Sequence, residues 1–375
     1  MAEIKIVNLR KSFGAFTAVE NSNLTIKNGE FFVLLGPSGC GKTTTLRMIA
    51  GLELPTSGQI LLGGQDVTFN RPRDRDIAFV FQLFALYPHM TVRANMAFPL
   101  ANEGFKKAQI NQTVEEIARM LKIDDLLDKS VSGLSGGDRQ RVALGRAIVR
   151  KPKAFLMDEP LGTLDAEFRE LMCLELRRLH DRLGATTVYV THDQQEAMQM
   201  ADTIVVMNKG LILQADTPDR IYDCPNCVFV GKFIGAPAMG FLEVDSSVPV
   251  GAKSVVIQGV KIAVPEQLEG AKKVLFGIRP ERVSLCSDGG LRGEVMAVEY
   301  LGSHQIVTVQ TGAGTVRARV GKDLTVHLGQ TLGLEFDLEH SLLYDAQTEW
   351  VLASAQTKRL GVEARKNAKL EVVYG

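Results

Sequence analysis

Two rhythms of apolar residues divide the chain. Residues 31–35, 77–81, 154–157 and 187–191 are near-continuous apolar runs, the pattern of strands buried on both faces of a parallel sheet. Between them the period lengthens: Met172, Leu176, Leu179 and Leu183 share one helical face, as do Ile110, Val114, Ile117 and Leu121. The stretch from Thr91 to about Val131 therefore reads as a helical insert between two parts of the sheet. Residues 4–9 alternate as a strand, and 59–62, 203–207 and 211–215 add shorter ones, the last two joined by a turn at Gly210. Near Gly235 the style changes. Residues 254–258, 274–278, 293–300, 305–311, 315–320 and 331–336 are short alternating runs separated by turn residues, the spacing of an all-β module built as small barrels. The pattern predicts an α/β domain over 1–235 with a helical subdomain at about 88–150, a β-rich domain over 236–354, and a charged tail, 355–375, that carries no assignable element.

The apolar run 31–35 leads into Gly36-Pro37-Ser38-Gly39-Cys40-Gly41-Lys42-Thr43 and then a helical stretch beginning Thr44-Thr45-Leu46. Strand, glycine loop and helix in that order form a phosphate-binding loop. The glycines let successive N–H groups face phosphate oxygens at the positive end of the helix. Lys42 reaches the β- and γ-phosphates, and Thr43 offers a hydroxyl to Mg²⁺.

Other strand ends carry matching chemistry. The run 77–81 ends at Gln82. The run 154–157 ends in Asp158-Glu159, two carboxylates that packing explains poorly, because an unpaired buried carboxylate is costly. Asp158 reads as a Mg²⁺ partner and Glu159 as the group that polarises an attacking water. The run 187–191 delivers His192 to the same edge, where a γ-phosphate contact is favoured over a structural role. Ser135-Gly136-Gly137-Asp138 opens an arginine- and alanine-rich helix and is either an anion site or an ordinary N-cap. Phe13 is a base-stacking aromatic or a core residue. The apolar stretch from Leu83 to Met90 is a loop tucked into the core or a groove for a partner's helix.

Composition narrows the choices. A chain of 375 residues exceeds one ordinary core, so two or three domains are expected. Lysine plus arginine equals aspartate plus glutamate, 43 against 43, so no net positive field points to nucleic acid. No apolar stretch has membrane-spanning length, and residues 1–6 alternate like a strand instead of forming a secretory signal. A cytoplasmic chain that reaches a membrane only through a protein partner is the expectation. Five cysteines make no disulfide framework. Cys224 and Cys227 have redox or metal spacing but no second Cys/His pair nearby, and read as two thiols in a turn. Cys40 lies inside the phosphate loop, where oxidation could obstruct nucleotide binding.

In order and spacing these motifs resemble the ATPase subunits of ABC transporters, of the maltose and glycerol-3-phosphate type that energise carbohydrate importers, over most of the chain. The resemblance implies an α/β P-loop NTPase (ABC ATPase) domain with a helical subdomain, followed by an all-β OB-like regulatory domain of TOBE type, matched at 276–281 and 299–303. In that family's pattern Gly36 to Thr44 holds ATP, Phe13 falls where the base-stacking aromatic sits, and Gln82 is the Q-loop residue serving metal and catalysis. Ser135 to Asp138 is the signature, Asp158 and Glu159 the metal-binding and catalytic acids, 161–165 the D-loop with Asp165 toward nucleotide, and His192 the switch histidine. Two departures stand out: Asp138 where the family usually has Gln, and Gly162-Thr163 where Ser-Asn is commoner. The implied mechanism is a head-to-tail dimer of identical or paralogous ATPases around two ATP, each γ-phosphate covered by the signature of the other subunit. Two membrane permease subunits would dock at Phe84 to His89, on the cytoplasmic face of the bacterial inner membrane. A periplasmic or extracellular solute-binding protein and the permeases would choose a carbohydrate, polyol or glycerol-phosphate cargo. Soluble relatives in translation or DNA repair usually carry two ATPase copies or a long heptad insert, absent here. A GTPase is rejected because Leu211 follows Asn208-Lys209-Gly210 where the base-reading aspartate belongs.

Overall fold

The computed structural model describes residues 2–81, 85–150, 152–162 and 164–360. They form two units, Met1–Pro218 and Asp219–Gly375. In the first, β1 (Ile4–Phe13) and β2 (Phe16–Ile26) make a hairpin, followed by β3 (Phe31–Leu35), α1 (Lys42–Ala50), β4 (Ser57–Leu62), β5 (Gln65–Asp66) and β6 (Ile77–Val80). The chain continues through α2 (Val92–Asn102), α3 (Lys107–Met120), α4 (Gly136–Ile148), β7 (Ala154–Asp158), α5 (Ala166–Leu183), β8 (Thr186–Thr191), α6 (Gln194–Met200), β9 (Thr203–Asn208) and β10 (Leu211–Asp216).

Six strands make the main sheet in the order β10-β9-β3-β8-β7-β6. It is parallel except for the β9–β10 hairpin. Every residue of β3 and β8 is buried, as the continuous apolar runs require of central parallel strands. Register brings Leu35 opposite Thr191 and Asp158 opposite Val190, so β3, β8 and β7 end side by side. A second, antiparallel sheet, β2-β1-β4-β5, shares an apolar core with the first through Ile4, Ile6, Leu34, Leu46, Met48 and Ile60.

The helical insert is two helices with a break. The face Ile110, Val114, Ile117 and Leu121 is buried as expected, but α2 stops at Asn102 and α3 starts at Lys107. Gly104 lies between them at φ +80°, a left-handed conformation that glycine adopts without strain.

One buried side chain fixes the far end of α1. The Arg75 guanidinium donates to the carbonyls of Met48 and Ile49, both at 2.8 Å, and to those of Asn70 and Thr68. It places a cation on the negative end of the helix whose positive end carries the phosphate loop.

In the second unit, strands at Leu291–Tyr300, His304–Thr311, Gly314–Gly321 and Thr331–Phe336 join Val283–Cys286 in a five-stranded antiparallel sheet. A three-stranded sheet (Gly240–Glu243, Val274–Ile278, Leu342–Asp345) and the hairpin Ser254–Ile257/Val260–Ala263 complete it, around a core that includes Leu242, Ile257, Phe276, Val295 and Val307. The short helices Pro218–Asp223 and Val228–Phe233 belong with this unit from Asp219 onward. The physical reason is Arg279, within 276–281, whose buried guanidinium donates to the carbonyls of Tyr222, Gly231 and Ile234. Cys224 and Cys227 are buried and form no disulfide, and burial pushes the Cys227 thiol up to about 11. Among the described residues no cluster of His, Cys, Asp and Glu suits a metal. The charged tail begins with a short helix, Ala355–Arg359, capped by Ser354; residues 361–375 lie outside the described residues.

Candidate functional site

The loop between β3 and α1 turns through Gly39 and Gly41, at φ +77° and +105°. Gly41 also passes so close to the hairpin β1–β2 that a Cβ would lie 2.4 Å from the Ala18 carbonyl oxygen. It begins α1 without a side-chain cap, which leaves the helix's first N–H groups for an anion. Lys42 is buried, its ammonium donating to the carbonyls of Gly36 and Pro37 at 2.8 and 2.9 Å. Ser38 and Gly39 are exposed at the rim, and Thr44 is half-buried in the first helical turn. Cys40 is buried, and burial raises its thiol pKa against the opposing pull of Lys42. The thiol form is the less reactive one.

Thr43 donates its hydroxyl to Asp158 at 2.8 Å across the β3–β7 gap. Burial raises the Asp158 pKa, with the Thr43 hydrogen bond opposing and the Glu159 charge reinforcing the shift. Glu159 sits at φ +44°, a conformation uncommon outside glycine, and its N–H donates to the carbonyl of Val190 on β8. That turn carries the carboxylate to the end of β8, where Oε2 lies 3.2 Å from Nδ1 of His192. Thus Thr43 with Asp158, and Glu159 with His192, are brought together from three adjacent strand ends.

The signature residues make a separate group. Ser135 caps α4, its oxygen accepting from the Asp138 N–H at 3.1 Å, while its hydroxyl donates to the Asp138 carboxylate at 2.7 Å. Arg141 approaches the same carboxylate at 3.5 Å. Gly137 is a packing requirement as well, since a Cβ there would lie 2.0 Å from the Phe168 ring. Asp165 caps α5 through the Phe168 N–H.

Phe13, at the tip of the β1–β2 hairpin, is 49% exposed with Lys11 over its ring face at 4.7 Å, so it is no core residue. Gln82 and Phe84 lie outside the described residues, as does Thr163. The described part of the apolar loop edges a cleft: Pro88 and His89 are exposed and Leu86 is half-buried. This cleft, about 320 Å³, is lined by Phe79, Tyr87, Phe98, Arg146 and Arg150. Asn95, wholly buried on α2, fixes its wall by accepting from the Tyr87 N–H and donating to the Tyr87 carbonyl. No sequence motif marks Asn95 or Arg75, whose roles rest on backbone groups of neighbouring loops and helix ends.

Sheet order and these strand-end residues describe a P-loop nucleotide hydrolase. An ABC transporter family model matches residues 19–162, and a TOBE domain model matches 276–343. The chain is similar to the trehalose/maltose import ATP-binding protein MalK of Thermococcus litoralis, 46% identical, covering 93% of this chain and 99% of that one. It is also similar to the sn-glycerol-3-phosphate import ATP-binding protein UgpC 2 of Agrobacterium fabrum, 46% identical, covering 93% and 94%. Among solved structures, the dimeric bacterial ABC transporter cassette MJ0796 matches with a TM-score of 0.52 at 31% identity, over 57% of this chain and 98% of that one. The chain belongs to the ABC transporter family, among the ATP-binding, ATP-hydrolysing subunits of importers. Membership carries nucleotide use. No helix among the described residues is long and apolar enough to cross a membrane.

Proposed function

We propose that this chain energises import of a carbohydrate, polyol or glycerol-phosphate type solute. It would act on the cytoplasmic face of a bacterial inner membrane and serve permeases fed by a periplasmic or extracellular solute-binding protein. The observation that carries the reading is the Glu159–His192 pair, 3.2 Å apart, beside the Thr43–Asp158 pair. In this reading Glu159 accepts the proton of the attacking water. His192, turned toward Glu159 through Nδ1, leaves its other ring nitrogen for the γ-phosphate. Lys42 exchanges its loop carbonyls for the β- and γ-phosphate oxygens, and Phe13 offers an exposed ring face to the base.

The hydroxyl of Thr43 and the carboxylate of Asp158 are hard oxygen donors already within hydrogen-bonding distance, a set that suits Mg²⁺; Gln82 is the third residue proposed for it. The ion, when bound, neutralises charge on the β- and γ-phosphates. Ser135, Gly136, Gly137 and Asp138 cover the nucleotide of a second ATPase subunit, identical or paralogous, and Asp165 lies in the loop that faces it. The cleft at Tyr87, Phe98 and Arg146, continuous in sequence with Phe84 to His89, receives a permease helix. The charge balance of 43 against 43 gives no support to a nucleic-acid partner.

Glu159→Gln tests the core of this reading. Turnover of MgATP should fall by about 10²-fold or more, and an ATP-dependent dimer should accumulate on gel filtration. A variant that hydrolyses ATP at the wild-type rate removes Glu159 from the role and the reading with it.

A further inference from the structure

Beside the Glu159–His192 pair, one guanidinium bonds an acceptor from each of two different loops and pairs with a carboxylate on α6. Arg169, on the first turn of α5, donates from Nη2 to the carbonyl of Leu164 at 2.8 Å and from Nη1 to Asp193 Oδ2 at 3.1 Å. Its Nε lies 3.6 Å from Glu196 Oε1. Leu164 is in the loop that leaves Glu159, and Asp193 directly follows His192.

Each acceptor is itself held. The other Asp193 oxygen accepts from the N–H groups of Gln195 and Glu196, capping α6. Glu196 is 4% exposed, and its second oxygen accepts the hydroxyls of Tyr189 and Thr191 at 2.8 and 2.7 Å. Thr191 in turn accepts the Asp193 N–H. Hydrogen bonds run from Arg169 through Asp193 and Thr191 to Glu196, and the 3.6 Å Arg169–Glu196 ion pair closes the ring, with His192 seated between two of its members. On the other side, the loop starts with the Gly162 N–H donating to the Glu159 carbonyl and ends at the Leu164 carbonyl. A planar fork with donors in fixed directions bonds two such acceptors at once and keeps its charge beside a third carboxylate, which a lysine ammonium does not.

We propose that Arg169 is a positioning residue that locks the loop following Glu159 to the strand end bearing His192, setting the Glu159–His192 separation on which turnover depends. The inference rests on the functional reading above and adds to it a residue that acts through Glu159 and His192. Neutralising the buried Glu196 carboxylate is a second duty of the same side chain; burial raises that carboxyl's pKa, and Arg169 opposes the shift.

The test compares Arg169→Met, Arg169→Lys, Asp193→Asn and the double variant Arg169→Met/Asp193→Asn in the full-length chain with MgATP. Each is measured for kcat, for KM and for unfolding midpoint. A displacement of about 1 Å at a catalytic group is worth up to roughly 10²-fold, so kcat of the folded Arg169→Met protein should fall by about 10-fold or more while KM stays within about threefold. Arg169→Lys should recover part of the stability and little of kcat. The double variant should lose no more kcat than Arg169→Met alone, because the two residues act through one bond. A purely structural ion pair predicts a lowered unfolding midpoint with kcat per folded molecule unchanged, and that result, or multiplicative effects in the double variant, overturns the inference. A wild-type chain with no Glu159-dependent turnover overturns the functional reading itself; wild-type turnover that persists in Arg169→Met overturns only the role of Arg169.

Discussion

In the proposed dimer the Asp138 carboxylate would compete with nucleotide for a hydroxyl, and removing it should tighten the ATP-bound state. In the single chain the Ser135 hydroxyl donates to Asp138 at 2.7 Å; in the proposed dimer that hydroxyl serves the γ-phosphate across the interface. A hydrogen bond to a charged group contributes about 1.5–3 kcal/mol. Ser135 is exposed and the Asp138 side chain is 27% exposed, so about 1 kcal/mol per site is the appropriate scale. Two sites give about 2 kcal/mol, or about 30-fold in the dimer equilibrium. The Asp138→Ala variant keeps the Ser135 cap, because the donor to Ser135 is the backbone N–H. Losing a negative charge from the first turn of α4 costs about 0.5 kcal/mol of stability. The assay is sedimentation velocity with ATP, comparing Glu159→Gln with Glu159→Gln/Asp138→Ala so that hydrolysis does not dissolve the dimer. The expected result is a dimer constant tighter by about 30-fold, with the gain abolished when Ser135→Ala is added. A dimer equal to or weaker than the Glu159→Gln parent refutes the argument, and shows that Asp138 supports the interface.

Two further outcomes follow from buried groups. Arg75→Met removes the guanidinium from four carbonyls, of which Met48's still accepts the Gly51 N–H, and should destabilise by about 3 kcal/mol in urea unfolding, with Arg75→Lys recovering less than half; a loss below about 1 kcal/mol would show that water or repacking replaces the fork. His180 is buried against Phe31 and Thr187, and burial first, then the Arg177 charge, lowers its pKa from 6.5. The unfolded chain therefore binds the proton more readily, so the contribution to stability is complete above pH 6.5 and is lost as pH falls from there toward the folded value. Urea unfolding between pH 5 and 8 should show a slope that His180→Gln reduces by up to about 1.4 kcal/mol per pH unit, whereas identical slopes would exclude His180 as its source.

Much of this architecture was written in apolar periodicity. The strands 31–35, 274–278 and 331–336 match their predicted bounds, because a run with glycine or polar residues on both sides has only one way to be buried. Four strands of the second unit, Gly240–Glu243, Val260–Ala263, Val283–Cys286 and Leu342–Asp345, escaped notice: each has four residues, too few for alternation to stand out. The helical insert at 91–131 is legible from its buried face, whereas its division into two helices rests on Gly104, because amphipathic face and helix length are separate properties. At the site, Thr43, Asp158, Glu159 and His192 were legible because ionisable or hydroxyl groups at the ends of apolar strands have no packing explanation. Arg169 was hidden by its own ordinariness, an arginine on a helix with acids nearby, and only the fold shows that its acceptors come from both sides of the catalytic pair.

The ladder register also acts as a ruler for what the chain tolerates. With Leu35 opposite Thr191 and Asp158 opposite Val190, one residue inserted into β3, β7 or β8 would advance a functional side chain by about 3.3 Å and turn it to the other face of the sheet. No neighbouring loop could restore the lost hydrogen bond. Length can vary in the break at Gly104, which belongs to no strand ladder, at little loss. Growth in this molecule is therefore confined to its connections, and the three central strands have a fixed count.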